Sequence, residues 1–290
     1  MFDNIFAAIE KWMRELLTGM VESNMSTMFT DVNEKTSEIA AQVGRTPQNW
    51  NSSVFSMIQN LSESVVVPIA GIIITLVLCY ELISMLTERN NLHDVDTWMF
   101  FKYFVKAWVA IYLVSNTFTI TMAVFDVGQS VVNSASGIIN GETAIDVSSL
   151  SMQMQAAMAT MEIGELVVLA LETFLVSFCM KIMSVVITVI VYGRMIEIYL
   201  YTSLAPIPFA TMSNCEWGHV GTNYFRGLFA LAFQAFLMMV CVAIYAALIS
   251  SVRISSNMHS ALIGVAAYTV ILCFSLMKTG SLSKQIFGSH

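Results

Sequence analysis

Charged residues are scarce in this chain of 290 residues, where Asp, Glu, Lys and Arg together make up 11%. Soluble globular proteins typically contain about 25% charged residues. Hydrophobic residues reach 57%, which excludes both an ordinary soluble enzyme and an intrinsically disordered chain, because neither composition is this apolar. The composition therefore predicts a polytopic membrane protein.

The patterns of catalytic and metal sites are missing as well. Four of the five cysteines lie inside apolar runs, and neither a CxxC pair nor a cluster of histidines is present. The phosphate-binding GxxxxGK[ST] and nucleophile GxSxG motifs are also absent. The sequence thus predicts no enzymatic activity, no metal and no cofactor. A net charge of −7 without a basic stripe argues against an autonomous nucleic-acid binder.

Long apolar runs are present, and they predict an all-α membrane fold. About 20 apolar residues at 1.5 Å rise cross a bilayer as a helix. The predicted spans are residues 65–86, 103–125, 166–192, 228–249 and 261–277. Pro68 falls in the first turn of the first span, where a proline costs little. Residues 1–20 have the spacing of an amphipathic helix, and a weaker helical pattern over 21–62 breaks near Pro47.

A proline-broken segment, Met195–Met212, follows the third run at Gly193–Arg194. Its two prolines leave only about ten residues before the break, too few to cross a bilayer. Basic residues favour the cytoplasmic side, and residues 126–165 contain no Lys or Arg, so this linker is expected outside. We favour five full spans plus a re-entrant segment, with the N-terminus outside and the C-terminus inside. Six spans, the fourth kinked by proline, is the alternative that the sequence leaves open.

These features divide the chain into three predicted parts. Residues 1–62 form extracytoplasmic or interfacial amphipathic helices, and residues 63–280 form the helical membrane domain. Within that domain, residues 126–165 are an acidic extracytoplasmic linker. Residues 281–290 form a short cytoplasmic tail.

Ionisable groups inside the spans are candidate functional residues, because a charge at membrane depth costs about 2.5–3.5 kcal/mol and needs a partner or water. Glu172 and Lys181 both lie inside the third span, on opposite helix faces. Each residue either lines a polar pathway or subunit contact, or forms a structural pair with another helix. The structural pair is the favoured interpretation for Glu172, whereas the two alternatives are balanced for Lys181.

The proline-broken segment supplies four more candidates for a passage or a subunit contact. Arg194 and Glu197 are three residues apart in sequence, so the simplest expectation is a local salt bridge at the membrane edge. Pro206 and Pro208 are candidates because they break the helix at this point. Such a break is tolerated at membrane depth only where it is buried in protein or lines a wet cavity.

The segment Arg194–Met212, with its APIPFATM core at Ala205–Met212, resembles the signature region of the TrbL/VirB-type proteins. These are polytopic inner-membrane components of conjugative type IV secretion systems. The layout over residues 60–280 is similar too, with an amphipathic N-terminus, a long acidic linker and five spans. The chain departs from many relatives in lacking a long C-terminal domain.

The resemblance implies a TrbL-like membrane platform or channel component that is not an enzyme. It would oligomerise and help to translocate DNA or protein across the cytoplasmic membrane of a bacterium. Its expected partners are further copies of itself, secretion ATPases, pilin-like or stalk subunits and membrane lipids. Translocated DNA would bind only transiently, and no soluble small-molecule ligand is expected. Two other classes stay open: a small-solute permease or transporter subunit, and a membrane scaffold without a passage.

Overall fold

The computed structural model describes residues 2–87, 97–139, 147–214, 216–252 and 258–289. Within these ranges the chain is helical and has no strand, which confirms the predicted all-α fold. The helices are, in chain order, α1 Phe2–Val43, α2 Pro47–Trp50, α3 Ser52–Leu61, α4 Val67–Thr87, α5 Thr97–Ser115, α6 Thr117–Ile139, α7 Val147–Met158, α8 Ile163–Ser203, α9 Pro206–Thr211, α10 Gly218–Ser250 and α11 Met258–Phe287.

Five helical stretches of the described residues are long and apolar enough to cross a bilayer. They are Ser52–Thr87, Thr97–Ser115, Ile163–Ser203, Gly218–Ser250 and Met258–Phe287. They confirm the five predicted spans, so this is a multi-pass membrane protein. The second stretch ends before the predicted residue 125, because a turn at Asn116 separates α5 from α6.

The N-terminal region begins with one long helix. The first 43 residues were expected to form a short amphipathic helix and a weaker helical stretch, but α1 continues without a break for 42 residues to Val43. No proline lies between its ends, so nothing in the backbone forces an interruption. The predicted break near Pro47 is confirmed at residues 44–46. There the Thr46 hydroxyl accepts a hydrogen bond from the Asn49 amide at 3.2 Å and caps α2.

Pro68 lies in the first turn of α4, as the sequence predicts, although the helical stretch continues from α3 into α4 without a gap. A π-helical turn, Ser62–Val66, joins α3 to α4, and the Val67 amide donates to the Ser62 carbonyl five residues earlier. In a regular helix the Pro68 ring would clash with the carbonyl four residues before it. The wider π turn immediately before Pro68 relieves that clash.

Helix α8 is longer than the sequence predicted. It runs for 41 residues from Ile163 to Ser203 and passes through Gly193–Arg194 without a break. The predicted boundary between a span ending at residue 192 and a separate segment beginning at Met195 is therefore wrong. A glycine in a helix interior costs only about 1 kcal/mol relative to alanine, which the surrounding apolar helix outweighs. The linker 126–165 is also largely helical where it is described, through α6 and α7.

The chain divides into two compact units. Unit 1 contains Met1–Val43, Ser134–Val191 and Met238–Lys278. Unit 2 contains Gly44–Asn133, Tyr192–Leu237 and Thr279–His290. Helices α8, α10 and α11 each contribute one part to unit 1 and another part to unit 2.

In unit 1, α1 runs along α8 in the same direction. The Arg14 guanidinium donates to the Met161 carbonyl at 2.8 Å, and the Lys35 ammonium donates to the Thr188 hydroxyl at 3.1 Å. Methionines are prominent among the largest fully buried side chains of this unit. They are Met25, Met28, Met158 and Met238. Their flexible thioether side chains adapt to irregular spaces between helices.

In unit 2, the short helix α9 packs against α4 and α5. Its Phe209 and Ala210 form an apolar cluster with Ala70, Ile74, Ala110 and Val114. A second cluster joins α6, α8 and α10 through Phe125, Met195, Ile198, Leu228 and Leu231. Gly128 permits the close approach of α6 to α10, since an added Cβ would lie 2.9 Å from the Ala232 carbonyl oxygen.

Candidate functional site

The predicted proline break is confirmed and lies between α8 and α9. Pro206 is buried at the first position of α9, where its missing amide costs little, and Pro208 follows half-buried. Helix α9 has 6 residues, Pro206–Thr211. At 1.5 Å per residue it rises about 9 Å, whereas the hydrocarbon core is about 30 Å thick. Helix α9 therefore does not cross a bilayer by itself.

The chain reverses direction after α9, so that α8, α9 and α10 form a helical hairpin. The Tyr201 and Tyr224 rings stack with their centroids 4.4 Å apart. The Tyr224 hydroxyl donates to the Tyr201 carbonyl at 2.6 Å, and the Tyr201 hydroxyl donates to the Tyr224 carbonyl at 3.4 Å. At Gly221 an added Cβ would lie 2.4 Å from the Pro208 carbonyl oxygen. Glycine at position 221 therefore permits α10 to return directly against α9.

Arg194 is buried in unit 2, with 7% of its surface exposed. Its Nη2 donates to the Leu231 carbonyl at 3.5 Å, while its Nε has no hydrogen-bond partner among the residues that the structure describes. Glu197 pairs instead with Lys284 of α11, at 3.0 Å. Within the described part of the chain no carboxylate forms an ion pair with Arg194, so the predicted Arg194–Glu197 salt bridge is wrong. The reason is tertiary, because α11 brings a cation to Glu197 from 87 positions further along the chain.

Further polar side chains tie the same part of α10 to the end of α11. The Gln234 amide donates to the Thr279 hydroxyl at 3.5 Å, and the Ser283 hydroxyl donates to the Ala230 carbonyl at 2.5 Å. Within the described ranges, the Gln234 Oε1 is buried without a hydrogen-bond partner, as is the Arg194 Nε. Unsatisfied buried polar atoms cost about 1–3 kcal/mol each, so this Arg194 cluster (Arg194, Gln234, Thr279 and Ser283) has an energetic cost. Its groups hold helices in register and include no paired nucleophile and base.

In unit 1 the two predicted intramembrane charges have different surroundings. The Glu172 carboxylate pairs with the Nδ1 of His259, near the start of α11. Glu172 thus contacts a second helix, and the structural role favoured for it stays a prediction. Lys181 is exposed on the surface of α8, and no hydrogen bond or ion pair to it occurs among the described residues. Glu172 and Lys181 belong to unit 1, whereas the hairpin prolines belong to unit 2.

A polar group around Glu81 was missed from the sequence. One Glu81 carboxylate oxygen pairs with Lys106 of α5, and the other accepts a hydrogen bond from the Asn214 amide at 3.3 Å. The Asn214 side chain also stabilises the turn before α10, because it accepts from the Glu216 and Trp217 amides at 2.7 and 3.1 Å. This group anchors the turn of the hairpin to α4 and α5. An acid inside the first predicted span was the signal that would have revealed it.

The chain was compared with known families, and one of their profiles matches it. A profile described as TrbL/VirB6 plasmid conjugal transfer like protein matches residues 32–206. The match covers more than half of the chain. The protein belongs to the TrbL/VirB6 family. This confirms the resemblance drawn from the proline-rich segment, and it makes the protein a relative of conjugal transfer components.

Most of the candidate residues of this TrbL/VirB6 protein lie inside the range that the family profile matches. Glu172, Lys181, Arg194 and Glu197 lie inside the matched range, and Pro206 is its last residue. Pro208 and most of the APIPFATM core lie beyond it. No curated protein and no solved structure matches the chain.

Proposed function

We propose that this TrbL/VirB6-family protein is a membrane platform or channel component of a conjugative type IV secretion system. It oligomerises and helps to move DNA or protein across the cytoplasmic membrane. The family match over residues 32–206 carries the proposal. In this proposal the chain is not an enzyme, and secretion ATPases and pilin-like or stalk subunits are its partners. The N-terminus lies outside and the C-terminus inside.

Oligomerisation is supported by the apolar surface that one copy leaves uncovered. The exposed large side chains on α5 are mostly aromatic and include Trp98, Phe101, Phe104, Trp108 and Tyr112. Lipid can cover such a face, and so can a neighbouring copy, since aromatic side chains are enriched at protein interfaces. Lys181 adds a charge on an otherwise apolar exposed face of α8, which lipid tails alone do not satisfy.

The hairpin and Lys181 are the proposed contact or passage elements. The hairpin contains Pro206 and Pro208, and its irregular backbone is buried against α4 and α5, as membrane depth requires. Arg194, Glu197 and Glu172 act by fixing helix positions, because each contacts another helix in the described structure. None of these residues is assigned a catalytic role.

A small-solute permease receives less support from the structure. Asp31, Lys35 and Tyr245 help to line a cavity in unit 1 with a volume of about 20 Å³. A cavity of about 10–15 Å³ or more accommodates a single water molecule. Binding pockets for small molecules are about 300 Å³ or larger. This cavity is therefore large enough for water and too small for a transported solute.

The oligomeric state of the purified protein tests the proposal against its alternatives. The full chain is extracted in mild detergent, and its mass is measured by light scattering after size exclusion. The platform predicts a particle of several copies of the 32.1 kDa chain. A monomer that binds a solute would support the permease and contradict the platform.

Lys181→Met separates the platform from a scaffold without a passage, with Lys102→Met as the matched control in another helix. A platform predicts that Lys181→Met keeps the oligomer but lowers DNA transfer, while Lys102→Met leaves transfer unchanged. Full transfer with both variants would favour the scaffold.

A further inference from the structure

Helix α1 lies beside the most apolar part of α8, although its own sequence is too polar for a lipid-facing span. Three hydrogen bonds fix how the two helices are aligned within unit 1. Arg14 donates to the Met161 carbonyl at 2.8 Å, Asn24 to the Thr173 hydroxyl at 3.5 Å, and Lys35 to the Thr188 hydroxyl at 3.1 Å. The contacts follow the same order along both helices. Residues 24–35 of α1 therefore lie level with residues 173–188 of α8, in the middle of its apolar run.

The exposed face of α1 over this stretch is polar. We call it the polar stripe, and its exposed members are Ser23, Ser26, Thr27, Thr30, Glu34 and Ser37. At 1.5 Å rise per residue the polar stripe is about 21 Å long, most of the thickness of a hydrocarbon core. The opposite face of α1 packs into unit 1 through buried residues such as Met25, Met28 and Val32.

The neighbouring exposed face of α8 has the opposite character. Its large exposed side chains are Leu171, Phe174, Phe178, Val185 and Val189. Such a face suits lipid, whereas five hydroxyls and a carboxylate do not. A polar face at membrane depth is found where it meets water or protein, because lipid offers no hydrogen bonds.

Charged groups beside the polar stripe favour water over another protein surface. Asp31, Lys35 and Glu38 flank it on α1, all three are only partly buried, and Lys35 and Glu38 form an ion pair at 2.5 Å. Lys181 precedes Thr188 by seven residues, so it lies on nearly the same face of α8 as the threonine that contacts Lys35. Lys181 has no hydrogen bond or ion pair in the described part of the chain. Water solvates the charges outside the ion pair, those of Asp31, Glu34 and Lys181, without a matched set of opposite charges.

We propose that α1 lines a water-filled passage at membrane depth, with its polar stripe facing the water and its buried face against α8. Lipid then covers the apolar face of α8, and Lys181 lies at the boundary between the two. Because α1 and α8 run in the same direction, the N-terminus lies on the side from which α8 starts. Two parallel crossings need an odd number of crossings between them, so in this proposal α1 crosses in place of either α4 or α5, and it no longer has the interfacial position expected from the amphipathic pattern. The proposal requires that α1 and α8 cross a membrane side by side, and not that the protein takes part in conjugation.

Cysteine accessibility in intact membranes tests the proposal. The five native cysteines are first replaced by alanine in the full chain. Single cysteines are then introduced as Ser26→Cys and Thr30→Cys in the polar stripe, and as Phe178→Cys and Val185→Cys on the lipid-facing side of α8 at similar depth. Each variant reacts with a charged, membrane-impermeant methanethiosulfonate reagent. Size exclusion of every variant confirms that it folds.

The passage predicts that the polar-stripe cysteines react at least about tenfold faster than the α8 cysteines, since only the water-exposed thiolate is reactive. Equal rates at all four positions would overturn the proposal, because α1 and α8 would then share one environment. Oxidation of Thr30→Cys to disulfide-linked dimers, without labelling, would also overturn it and identify a second copy as the occupant. The test does not measure DNA transfer, so its failure leaves the proposed function standing.

Discussion

Replacing Gly221 by alanine tests whether the hairpin closes against α9 as described. The added Cβ would lie 2.1 Å from the Met212 Cγ and 2.4 Å from the Pro208 carbonyl oxygen. The Met212 side chain can rotate away, but the Pro208 carbonyl belongs to the backbone of a proline-restricted helix. Since non-bonded heavy atoms are most stable at about 3.5–4.0 Å, one helix must move by about 1 Å.

The energetic consequence follows from two opposing effects. Overpacking of this kind costs about 1–3 kcal/mol. Alanine is favoured over glycine in a helix by about 0.5–1 kcal/mol, which offsets part of that cost. We therefore expect Gly221→Ala to lower the free energy of unfolding by about 1–2 kcal/mol. Gly193→Ala is the matched control, because an added Cβ there has no neighbouring atom within 4 Å.

The assay is denaturant unfolding of the purified protein in mild detergent, followed by tryptophan fluorescence. Gly193→Ala should be as stable as the wild type or more stable, by up to about 1 kcal/mol. Gly221→Ala should unfold at a lower denaturant concentration than both. If the two variants are equally stable, α10 does not return against Pro208, and the hairpin argument fails.

Four further substitutions, at Tyr224, Tyr201, Arg194 and Glu81, have predicted outcomes in the same assay. Tyr224→Phe removes the 2.6 Å hydrogen bond to Tyr201 and should lower the free energy of unfolding by about 1 kcal/mol. Tyr201→Phe removes the longer, 3.4 Å hydrogen bond and should lower it by less. Equal losses of stability would contradict the assigned geometry. Arg194→Met should be neutral or stabilising, because it replaces a buried guanidinium, which has no ion-pair partner among the described residues, by an apolar side chain of similar length. A large loss of stability would show that Arg194 has a counter-charge. Glu81→Gln should cost about 1–3 kcal/mol, because it leaves the Lys106 charge unpaired. Its control is Glu216→Gln, whose contact to Tyr80 is exposed, and equal effects of the two variants would argue against the Glu81 anchor.

The spans and the broken segment could be predicted from the sequence because their signals are local. Each span is an uninterrupted apolar run of sufficient length, and Pro206 and Pro208 lack the amide that a continuous helix uses. The helix ends were less predictable. The sequence predicts a boundary at Gly193 and Arg194, yet α8 continues through them, since tertiary packing outweighs a weak local preference.

The polar contacts could not be predicted, because each depends on which helices become neighbours. Arg194 lies within one helical turn of Glu197, but the Glu197 carboxylate forms its ion pair with Lys284 of α11. Glu172 pairs with His259, which is 87 positions away in the chain. The sequence indicated that these charges need partners, and only the fold identifies the partners.

The loss and recovery of DNA transfer shows whether this protein works in conjugation. The gene is deleted in frame in the donor cell, and the frequency of transfer to a recipient is measured with and without a copy supplied in trans. A conjugative role predicts that transfer falls to the background of the assay and returns when the wild-type copy is supplied. Undiminished transfer from the deletion strain would contradict the assignment of this protein to the conjugative machinery.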